Sequence, residues 1–421
     1  MSDKLKKLLA QLVKLYPKYI DLSLERLENL LIKLDNPEKK LSNIIHIAGT
    51  NGKGSTLSYI KQILIENNYK VHCYTSPHLK TINERFVIAN EQISNKELFK
   101  IINFIKKINN NNPITFFEII TAAAFYLFSQ KKSDFTLIET GLGGRLDATN
   151  VIKNPILNII TPISIDHQEF LGNKLTDITK EKLGIIKPSS TIIIGKQTNF
   201  INNYIKKKIY KFNNKKIFYN QNYKIAKINK KSFDIIINNK KFNFNKPTLN
   251  GLHQIENAAT AISAILEIKK IGNKINIESI NKGLIKTKWN CRLEKGYLKK
   301  IPVFLDGAHN VEGAKQIKNF FVNNNKNRWL IIGMLKNKDV KNYLLNLKST
   351  IRGIIALKIP EEKNSFSTKE ILNICKQIDI ECIAKKNIND ANNYLFNEIK
   401  PDEIIISGSL YLVGKIRNLY I

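Results

Sequence analysis

Short β-rich runs and helical segments alternate along the chain from residue 43. The β-rich runs are dominated by Ile, Val, Phe and Tyr, and helical segments are predicted after the first run, to about Glu66, and from about Asn95. The β-rich runs are Asn43–Ala48, Lys70–Tyr74, Phe135–Ile138 and Ile156–Ile160. This alternation is typical of a mostly parallel sheet that is covered by helices.

The pattern changes between residues 200 and 247, which are rich in Asn, Lys, Tyr and Phe. Lys231–Phe244 partly alternates with a period of two, which predicts a small antiparallel subsheet. A helix is predicted for Glu256–Ile271, and the alternation of strands and helices restarts after Lys286. The strand candidates of this second unit are Val303–Leu305, Trp329–Ile332, Ile351–Leu357, Ile380–Ile383 and Glu403–Ile406.

The length of 421 residues exceeds that of one ordinary domain, so we expect two. We place them at residues 1–288 and 289–421. The fold class is α/β. The larger domain is expected to have a mostly parallel sheet with the small antiparallel subsheet, and the smaller, C-terminal domain is expected to be Rossmann-like.

The formal net charge of +33 raises the question of a nucleic acid or an anionic membrane as partner, because a basic surface attracts both. Only 7 of the 68 basic residues are Arg, whereas recognition of bases and phosphates favours bidentate Arg. The lysines are spread along the chain with abundant Asn and Ile, which is typical of AT-rich codons. We therefore interpret them as solvated surface residues and expect neither partner, although anionic substrates would still be attracted.

No CxxC pair is formed by the four cysteines, Cys73, Cys291, Cys375 and Cys382, so neither a disulfide framework nor a zinc site is indicated. This pattern is consistent with a reducing compartment, and we expect the cytoplasm. At the N-terminus, apolar residues at helical spacing are interrupted by lysines, which predicts a packed surface helix rather than a signal sequence. The apolar stretch Thr121–Phe128 is far shorter than the roughly 20 residues of a membrane helix. We expect a soluble monomer.

The strongest chemical signal is the glycine-rich segment Gly49–Ser55, between a predicted strand and a helix that begins near Gly54. Glycines let backbone N–H groups close around phosphate oxygens, the helix N-terminus adds a positive dipole, and Lys53 can reach the terminal phosphates. The common P-loop has Gly where this chain has Ile47, and Ser or Thr where it has Gly54. The alternative is a glycine-rich turn with a solvated lysine.

Three polar clusters follow strands of the same predicted sheet, and ligands of open parallel sheets bind at the carboxyl ends of the strands. These clusters contain Ser76, Glu139 and His167. Hard oxygen ligands with one imidazole suit Mg²⁺ that bridges to phosphate. Taken singly, the three residues fit a helix cap, a solvated carboxylate and a surface histidine equally well, but their shared position favours a metal site.

A second glycine-rich loop, Gly141–Asn150, follows Glu139 almost directly. Its glycines would permit the close approach of a ligand, and Arg145 would be able to hold a carboxylate through two parallel hydrogen bonds. In the second unit, Asp306–Asn310 follows a strand and precedes a helix. Asp306 therefore suits either a ribose hydroxyl or the capping of that helix.

Together these motifs resemble those of the folylpolyglutamate synthase and dihydrofolate synthase family, a branch of the Mur-ligase superfamily. The resemblance covers nearly the whole chain and implies a Mur-ligase-like P-loop domain followed by the C-terminal domain of these ligases. The matching segments are Ile20–Arg26, Gly49–Ser55, Thr75–His78, Thr115–Glu118, Glu139–Asn150, Asp166–His167, Glu181–Ile185, Asn257–Ala259, Arg292–Glu294, Asp306–Asn310 and Ser407–Leu412.

The resemblance implies roles in binding ATP, the co-substrate, and a metal. The ATP-binding residues would be Thr50, Asn51, Gly52, Lys53, Gly54, Ser55, Asn257, Arg292 and Asp306. The ligands of Mg²⁺ would be Ser76, Glu139 and His167. Lys182 would carry a carbamate, as N6-carboxylysine, that helps to order the metal. The catalytic residues would be Lys53, Lys182 and His309.

In bifunctional members of the family, the segments that correspond to Ile20–Leu22 and Thr115–Glu118, with Arg145, form a dihydropteroate pocket. Asp21 would accept hydrogen bonds from the pterin, and one residue of the Phe pair would stack on its face. The alternative is that Asp21 caps the next helix and that the Phe pair belongs to the core. The substrate-binding residues would be Ile20, Asp21, Leu22, Thr115, Phe116, Phe117, Glu118 and Arg145.

The implied reaction starts with transfer of the γ-phosphoryl group of ATP to a substrate carboxylate, which gives an acyl phosphate. The neutral α-amine of L-glutamate then attacks the carbonyl carbon and phosphate leaves. We expect both dihydropteroate and reduced folates to serve as substrates. The alternatives are a folylpolyglutamate synthase without the first activity, a peptidoglycan Mur ligase, which would lack the segments at Ile20 and Gly143, and a nucleic-acid-stimulated P-loop ATPase.

Two segments depart from the pattern of the family. Trp289–Arg292 reads Trp-Asn-Cys-Arg where the family has Trp-Pro-Gly-Arg, and Asn337 stands where Asp is usual. The first departure concerns the rigidity of the linker between the domains and leaves the role of Arg292 intact.

Overall fold

The computed structural model describes most of the chain, namely residues 3–14, 16, 20–321 and 325–421. It divides the chain into two compact units. The first unit comprises Met1–Ser164, Glu169–Pro247 and Glu256–Thr287, and the second comprises Ile165–Gln168, Thr248–Ile255 and Lys288–Ile421. Two short segments, 165–168 and 248–255, therefore belong to the second unit although they precede its main part in the sequence. The domain limits at residues 288 and 289 stay a prediction.

The first unit is built on an eight-stranded sheet with the order β4-β3-β2-β5-β1-β6-β7-β8. All neighbours from β2 to β8 are parallel, and β3 and β4 add an antiparallel edge. The strands are β1 Ile44–Ala48, β2 Val71–Tyr74, β3 Phe86–Ile88, β4 Glu91–Gln92, β5 Phe135–Glu139, β6 Leu157–Ile160, β7 Thr191–Ile194 and β8 Lys216–Phe218. Strands β1, β2, β5 and β6 are buried along their whole length, as expected of a sheet that helices cover.

Among the described residues, ten α-helices precede the last segment of the second unit. They are α1 Asp3–Val13, α2 Glu25–Lys33, α3 Lys53–Glu66, α4 Asn95–Asn109, α5 Phe116–Gln130, α6 Gln168–Leu171, α7 Leu175–Leu183, α8 Asn199–Ile209, α9 Leu252–Lys270 and α10 Ile277–Lys286. Several begin at a side-chain cap, such as Ser94 before α4 and Thr198 before α8. Helix α1 buries Leu5, Leu8 and Leu12, so the predicted N-terminal surface helix is confirmed over its described residues.

Two apolar clusters form the core of the first unit. One joins α1, α2, α4 and α5, and it includes Leu5, Leu30, Ile102 and Phe125. The other joins the ends of β1 and β6 to α7 and α8. The chain after each strand is thereby held at the carboxyl edge of the sheet, where most of the predicted site residues lie.

The predicted antiparallel subsheet is present but shorter than the segment that suggested it. It consists of β9 Tyr223–Ile228, β10 Ser232–Ile237 and β11 Lys240–Asn245, in the order β11-β10-β9. Residues 199–209 form α8 instead, and β8 joins the large sheet. The composition of residues 200–247 concealed this difference because Asn and Lys occupy the exposed faces of both element types.

The second unit contains a six-stranded sheet with the order β12-β13-β17-β14-β15-β16, antiparallel only between β12 and β13. Its strands are β12 Glu294–Leu298, β13 Ile301–Leu305, β14 Arg328–Ile332, β15 Gly353–Ala356, β16 Glu381–Ala384 and β17 Glu403–Ser407. Its helices are α11 Val311–Phe320, α12 Val340–Leu347, α13 Thr368–Gln377, α14 Ile388–Tyr394 and α15 Leu410–Ile416. The five predicted strands are present, and β12 was missed.

Four short 3₁₀ helices and one short π-helix are also present among the described residues. They are Pro37–Lys40, Ile82–Arg85, Ala148–Val151, Leu395–Ile399 and Arg417–Leu419. Over the described ranges, no helix has both the length and the apolar character needed to cross a membrane.

Candidate functional site

The glycine-rich segment Gly49–Ser55 connects the end of β1 to the first turn of α3. Gly52 is the N-cap of α3 and has φ +83°, a left-handed conformation that favours glycine. A Cβ atom there would lie 2.4 Å from Asn257 Oδ1, so Asn257 of α9 packs directly on the loop. At Gly49, a Cβ atom would lie 1.8 Å from Thr161 Oγ1. Both glycines are therefore required by backbone shape and by close neighbours.

The loop is held by the chain that follows β6. The backbone N–H groups of Thr50 and Asn51 donate to Pro162 O at 2.9 and 3.2 Å, and Thr50 Oγ1 donates to Ser164 O at 3.0 Å. The next residues, Gly54 and Ser55, are buried in the first turn of α3. Since the first N–H groups of a helix have no partner within the helix, this turn, rather than Thr50 and Asn51, offers the donors for a phosphate.

Two lysines converge on this loop. Lys53 Nζ donates to Gly49 O at 3.2 Å and to Thr50 O at 3.3 Å. Lys182 Nζ, from the last turn of α7, donates to the same Gly49 O at 2.9 Å, and its side chain is buried. The sequence pattern alone gives Lys182 no such position, and only the family resemblance singled it out.

The second glycine-rich loop packs on α7 and so helps to position Lys182. A Cβ atom at Gly144 would lie 2.6 Å from Glu181 O and 3.0 Å from Lys182 Cα. Arg145 N donates to Glu181 O at 2.7 Å, and Arg145 Nε donates to Glu181 Oε1 at 3.0 Å. This glycine therefore permits close approach of a helix rather than of a ligand. The half-exposed Arg145 is ion-paired with Glu181.

Asp147 and His46 fasten the same loop to the central strand. Asp147 accepts from Leu142 N at 2.7 Å and from Thr149 Oγ1 at 2.6 Å, and Thr149 Oγ1 lies 2.8 Å from His46 Nε2. Burial raises the pKa of Asp147 and, with the charge of Lys187, lowers the pKa of His46 to about 3. His46 is therefore neutral near pH 7.

Ser76 and Glu139, two of the three predicted metal ligands, are adjacent. Ser76 N donates to Glu139 Oε2 at 3.2 Å; Ser76 follows β2, and Glu139 is the last residue of the neighbouring strand β5. Glu139 is buried, which excludes the alternative of a solvated carboxylate. Ser76 Oγ is buried without a hydrogen-bond partner among the described residues. A buried hydroxyl oxygen beside a buried carboxylate is a donor set that fits a hard cation such as Mg²⁺.

His167, the third predicted metal ligand, lies in the segment that belongs to the second unit. It has φ +52°, and its Nε2 lies 3.9 Å from Asp166 Oδ2. Within the described ranges, no three His, Cys, Asp or Glu side chains group as a metal site. Of the three predicted ligands, only Glu139 and His167 are of these types, so the absence of such a group does not test the predicted magnesium site.

Two of the predicted substrate residues, Asp21 and Glu118, meet at Arg26. Arg26 Nη1 lies 3.1 Å from Asp21 Oδ2, and Arg26 Nη2 lies 3.0 Å from Glu118 Oε1. Tyr16 OH donates to Asp21 Oδ2 at 2.5 Å. The N-cap of α2 is Leu24, so the alternative in which Asp21 caps this helix is wrong. Arg26 lies in the matching segment Ile20–Arg26, but the resemblance assigns no role to it.

Thr115 and Glu118 form the capping box of α5. Glu118 N donates to Thr115 Oγ1 at 3.2 Å, and Thr115 N donates to Glu118 Oε2 at 2.7 Å. The box places Phe116 and Phe117 in the first turn, where both are half-buried against the core of the first unit. Phe117 stacks on Tyr74 with 6.1 Å between ring centroids. The two aromatic rings are therefore partly core, and each keeps an exposed part.

Ile20 and Leu22 flank Asp21 and are both half-buried. Leu22 packs against the apolar cluster that contains α7 and α8. The segment 20–22 is therefore anchored by Leu22, while Asp21 is held by Arg26.

In the second unit, Asp306 is buried after β13. Its Oδ2 accepts from Leu293 N at 2.8 Å and its Oδ1 accepts from Ala308 N at 2.7 Å. Burial raises the pKa of Asp306, and the charge of Arg292 opposes this. The N-cap of α11 is Asn310, so the alternative in which Asp306 caps this helix is wrong.

A second polar cluster surrounds Asp166. Its Oδ2 lies 3.4 Å from His309 Nε2 and accepts from Asn310 Nδ2 at 3.1 Å, and its Oδ1 accepts from Lys338 Nζ at 2.5 Å. Burial alone would raise the pKa of Asp166, but the hydrogen bond from His309 and the charges of His309, His167 and Lys338 hold it well below its ordinary value. Asp166 is thus a carboxylate with several donors.

Family models match both units of the chain. The Mur ligase middle domain matches residues 47–265, and the C-terminal domain of dihydrofolate synthetase matches residues 290–419. The dihydrofolate synthase/folylpolyglutamate synthase of Bacillus subtilis is 33% identical over 94% of this chain and 94% of its own length. The chain belongs to the dihydrofolate synthase/folylpolyglutamate synthase family of Mur ligases. The resemblance that the motifs suggested is confirmed.

Solved structures of this family are similar over nearly the full length. The Escherichia coli enzyme in complex with DHPP and ADP has a TM-score of 0.89 and 25% identity, and the match covers 99% of this chain and 97% of that one. The Yersinia pestis enzyme complexed with AMPPNP and a Mn ion has a TM-score of 0.86 and 25% identity over 98% and 97% of the two chains. The predicted α/β fold is confirmed, and the chain is an ATP-dependent ligase.

Two residues that contact segments of the family pattern were missed from the sequence as site residues. They are Arg26 and Lys338, whereas Asp166 belongs to a matching segment but had no role of its own assigned to it. Each is of a residue type that is common on the surface of this lysine-rich chain. Its contact partner is either distant in the sequence or has no role assigned from the sequence. Their burial, and hence their part in the site, depends on the tertiary structure.

Proposed function

We propose that this protein joins L-glutamate to dihydropteroate and to the glutamate tail of reduced folates, with hydrolysis of ATP to ADP and phosphate. The observation that carries the proposal is the presence of two features in one unit. The first is the segment Gly49–Ser55, called the phosphate loop below, on which Lys53 and Lys182 converge. The second is the cluster of Asp21, Arg26 and Glu118. The loop suits ATP, and the cluster offers a carboxylate to the donor groups of a pterin. Family membership supports both assignments.

The first step needs a phosphate-binding surface and cations that offset the growing charge. The first turn of α3 supplies N–H donors around Gly54 and Ser55, and Lys53 lies at the same loop. Asn257 packs on Gly52, where it helps to fix the loop conformation. Asn257, Arg292 and Asp306 keep their proposed role in ATP binding. The aligned γ-phosphoryl group is then transferred to the substrate carboxylate.

Ser76, Glu139 and His167 would hold Mg²⁺. The buried hydroxyl oxygen of Ser76 beside the Glu139 carboxylate supports this assignment. The bound ion would offset charge on the phosphate oxygens. The chain itself keeps Glu139 buried and oriented through Ser76 N.

We also propose that Lys182 is carbamylated on Nζ. As an ammonium group it shares the acceptor Gly49 O with Lys53, so two positive charges lie close together. A carbamate would turn one of the two charges into an anion and would add oxygen atoms near the metal and the phosphates. The glycine-rich loop packed on α7 supports a fixed position for this group.

In the second step, the amine of L-glutamate attacks the acyl phosphate. His309 is the proposed residue that orders this step. Its Nδ1 donates to Gly307 O at 2.9 Å and its Nε2 faces Asp166, so the ring orientation is fixed from both nitrogens. About a third of its side chain is exposed, so that it can meet a reactant.

The deciding assay supplies ATP, Mg²⁺ and labelled L-glutamate with either dihydropteroate or tetrahydrofolate. We expect labelled product with both. Product with tetrahydrofolate alone would indicate a folylpolyglutamate synthase that does not add glutamate to dihydropteroate. Activity with a muramyl substrate and with neither pteroate nor folate would instead indicate a peptidoglycan ligase.

A parallel assay addresses the positive charge of the chain. We expect no rise in ATP hydrolysis when DNA or RNA is added, because the basic residues are mainly dispersed lysines. Stimulation by nucleic acid, without dependence on folate and glutamate, would contradict the ligase. We propose a cytoplasmic location, which the four free thiols and the use of ATP support.

A further inference from the structure

A buried ion pair of the second unit has no part in the reaction described so far. Lys338 Nζ donates to Asp166 Oδ1 at 2.5 Å, and both side chains are less than one-tenth exposed. Lys338 follows β14, whereas Asp166 belongs to the separate segment 165–168. Two charges tolerate burial only when they are well paired, so this contact defines the position of the Asp166 carboxylate.

The other oxygen of Asp166 faces the loop before α11. Oδ2 accepts from Asn310 Nδ2 at 3.1 Å and lies 3.4 Å from His309 Nε2. Asn310 is itself held as the N-cap of α11, where its Oδ1 accepts from Gly313 N at 2.9 Å. A continuous set of polar contacts therefore runs from Lys338 through Asp166 to His309.

The imidazole of His309 has one further contact on the opposite side of the ring. A carbonyl oxygen can only accept, so Nδ1 carries a proton and donates to Gly307 O. The ring is thus held by a backbone group at Nδ1 and by Asp166 at Nε2. Of these two contacts, only the one at Nε2 depends on a side chain that must itself be positioned.

We propose that Lys338 is a positioning residue for the second half of the reaction, which holds His309 in place through Asp166 for the attack of L-glutamate. The inference rests on the proposed function, in which His309 orders that step. Without Lys338, the Asp166 carboxylate loses the donor at Oδ1 and is free to turn, and the imidazole loses its alignment. Formation of the acyl phosphate needs Lys53 and the phosphate loop, which belong to the first unit, whereas Lys338 belongs to the second.

Hydroxylamine separates the two halves of the reaction. In the absence of L-glutamate, it attacks the acyl phosphate, phosphate leaves, and a hydroxamate forms, so this product reports the first half alone. Wild type and Lys338→Met are compared for hydroxamate formation with ATP, Mg²⁺ and dihydropteroate, and for KM of L-glutamate in the full reaction. Lys348→Met is the matched control, because Lys348 forms an exposed ion pair with Asp379 in the same unit.

For Lys338→Met we expect the KM of L-glutamate to rise roughly tenfold to hundredfold, while the hydroxamate rate stays within about threefold of wild type. Lys348→Met should match wild type in both. An unchanged KM for L-glutamate would overturn the proposal. Equal losses in both measurements would also overturn it, because they would show that Lys338 only supports the fold.

A double variant tests the path through His309. In a His309→Ala background, Lys338→Met should change the KM of L-glutamate no further, whereas additive effects would contradict a path through the imidazole. If thermal unfolding shows that Lys338→Met is not folded, Lys338→Ala, which also removes the donor to Asp166 Oδ1 but leaves room for water, takes its place with the same expectations. Absence of hydroxamate from the wild type would refute the proposed function instead.

Discussion

Lys53 and Lys182 donate to one acceptor, the carbonyl oxygen of Gly49, although they lie on different helices. The two N–O distances place the ammonium groups no more than about 6 Å apart, where like charges repel measurably even near a protein surface. The phosphate loop therefore concentrates positive charge before any nucleotide is considered. This relationship makes different predictions for the two lysines.

Lys182→Ala should inactivate the enzyme, and small added carboxylates such as acetate should restore part of the activity, because the missing group would be an anion near the metal. Lys180→Ala is the control, since Lys180 is exposed on the same helix. Labelled-glutamate incorporation measures both. Electron density for a bare amine at Lys182 in an active crystal with ATP bound would count against the carbamate.

Lys53→Ala should abolish ligation without unfolding the protein, because its ammonium group serves the phosphates and the loop rather than a core. We expect a loss of at least about a thousandfold in kcat/KM with a nearly unchanged melting temperature. Lys61→Ala, on the same helix α3, should behave like wild type. Turnover near the normal rate in Lys53→Ala would remove the loop from the mechanism.

The fold class could be predicted because strand runs such as Phe135–Ile138 are mostly apolar and differ from the helices between them. The short strands β7 and β8 were missed because short Ile-containing runs such as Thr191–Ile194 and Lys216–Phe218 occur throughout this chain. Helix α9 begins at Leu252, four residues before its predicted start, because Gly251, with φ +102°, is the break in the chain.

The site was predictable where backbone geometry demands particular residues, as in the glycines of the phosphate loop. It was not predictable where side chains meet from distant segments. Arg26 contacts Glu118 across 92 positions, and Lys338 contacts Asp166 across 172. No local pattern encodes such pairs, so motif reasoning reaches the ends of strands but not the contacts that orient the residues there.

Gly52→Ala should impair ATP binding. The new Cβ atom would lie 2.4 Å from Asn257 Oδ1 and would sit on a backbone with φ +83°. Gly272→Ala is a matched control, because Gly272 has φ +101° but nothing within 4 Å of its Cβ position. Both variants should lose about 1 kcal/mol of stability through the left-handed conformation. Only Gly52→Ala should raise the KM of ATP, by about tenfold or more.

His46 should make stability depend on pH. Burial lowers its folded pKa to about 3, whereas the unfolded pKa is near 6.5. Because the unfolded chain binds the proton first, the contribution is complete above pH 6.5 and is lost as the pH falls towards 3. At pH 5 the loss is about 2 kcal/mol relative to pH 7.

Denaturant unfolding at pH 7 and pH 5 measures this contribution, with His46→Gln as the comparison. The variant is expected to be less stable at pH 7 but to lose about 2 kcal/mol less than wild type between the two pH values. All other titrating groups are shared by the two proteins. Equal losses in both would show that His46 does not titrate in this way.

Asp21→Ala should weaken the reaction with dihydropteroate. Asp21 accepts from Tyr16 OH and Arg26, and its side chain is about one-third exposed, so the pterin can reach the carboxylate from solvent. Glu118 is nearly buried and is occupied by Thr115 N and Arg26. Of the two acids at Arg26, Asp21 is therefore the one that can meet a substrate.

The assay compares dihydropteroate and tetrahydrofolate as substrates of wild type, Asp21→Ala and Asp35→Ala. Asp35 is the control because its exposed ion pair with Lys40 resembles the Asp21–Arg26 pair without a predicted ligand. We expect Asp21→Ala to raise the KM of dihydropteroate about tenfold or more, since a charged partner group of the substrate is lost, and to leave the KM of ATP unchanged. If wild type makes no product from dihydropteroate, the enzyme is not bifunctional. If Asp21→Ala leaves that reaction untouched, Asp21 does not belong to the pocket, because a carboxylate that pairs with the pterin cannot be removed without a loss of affinity.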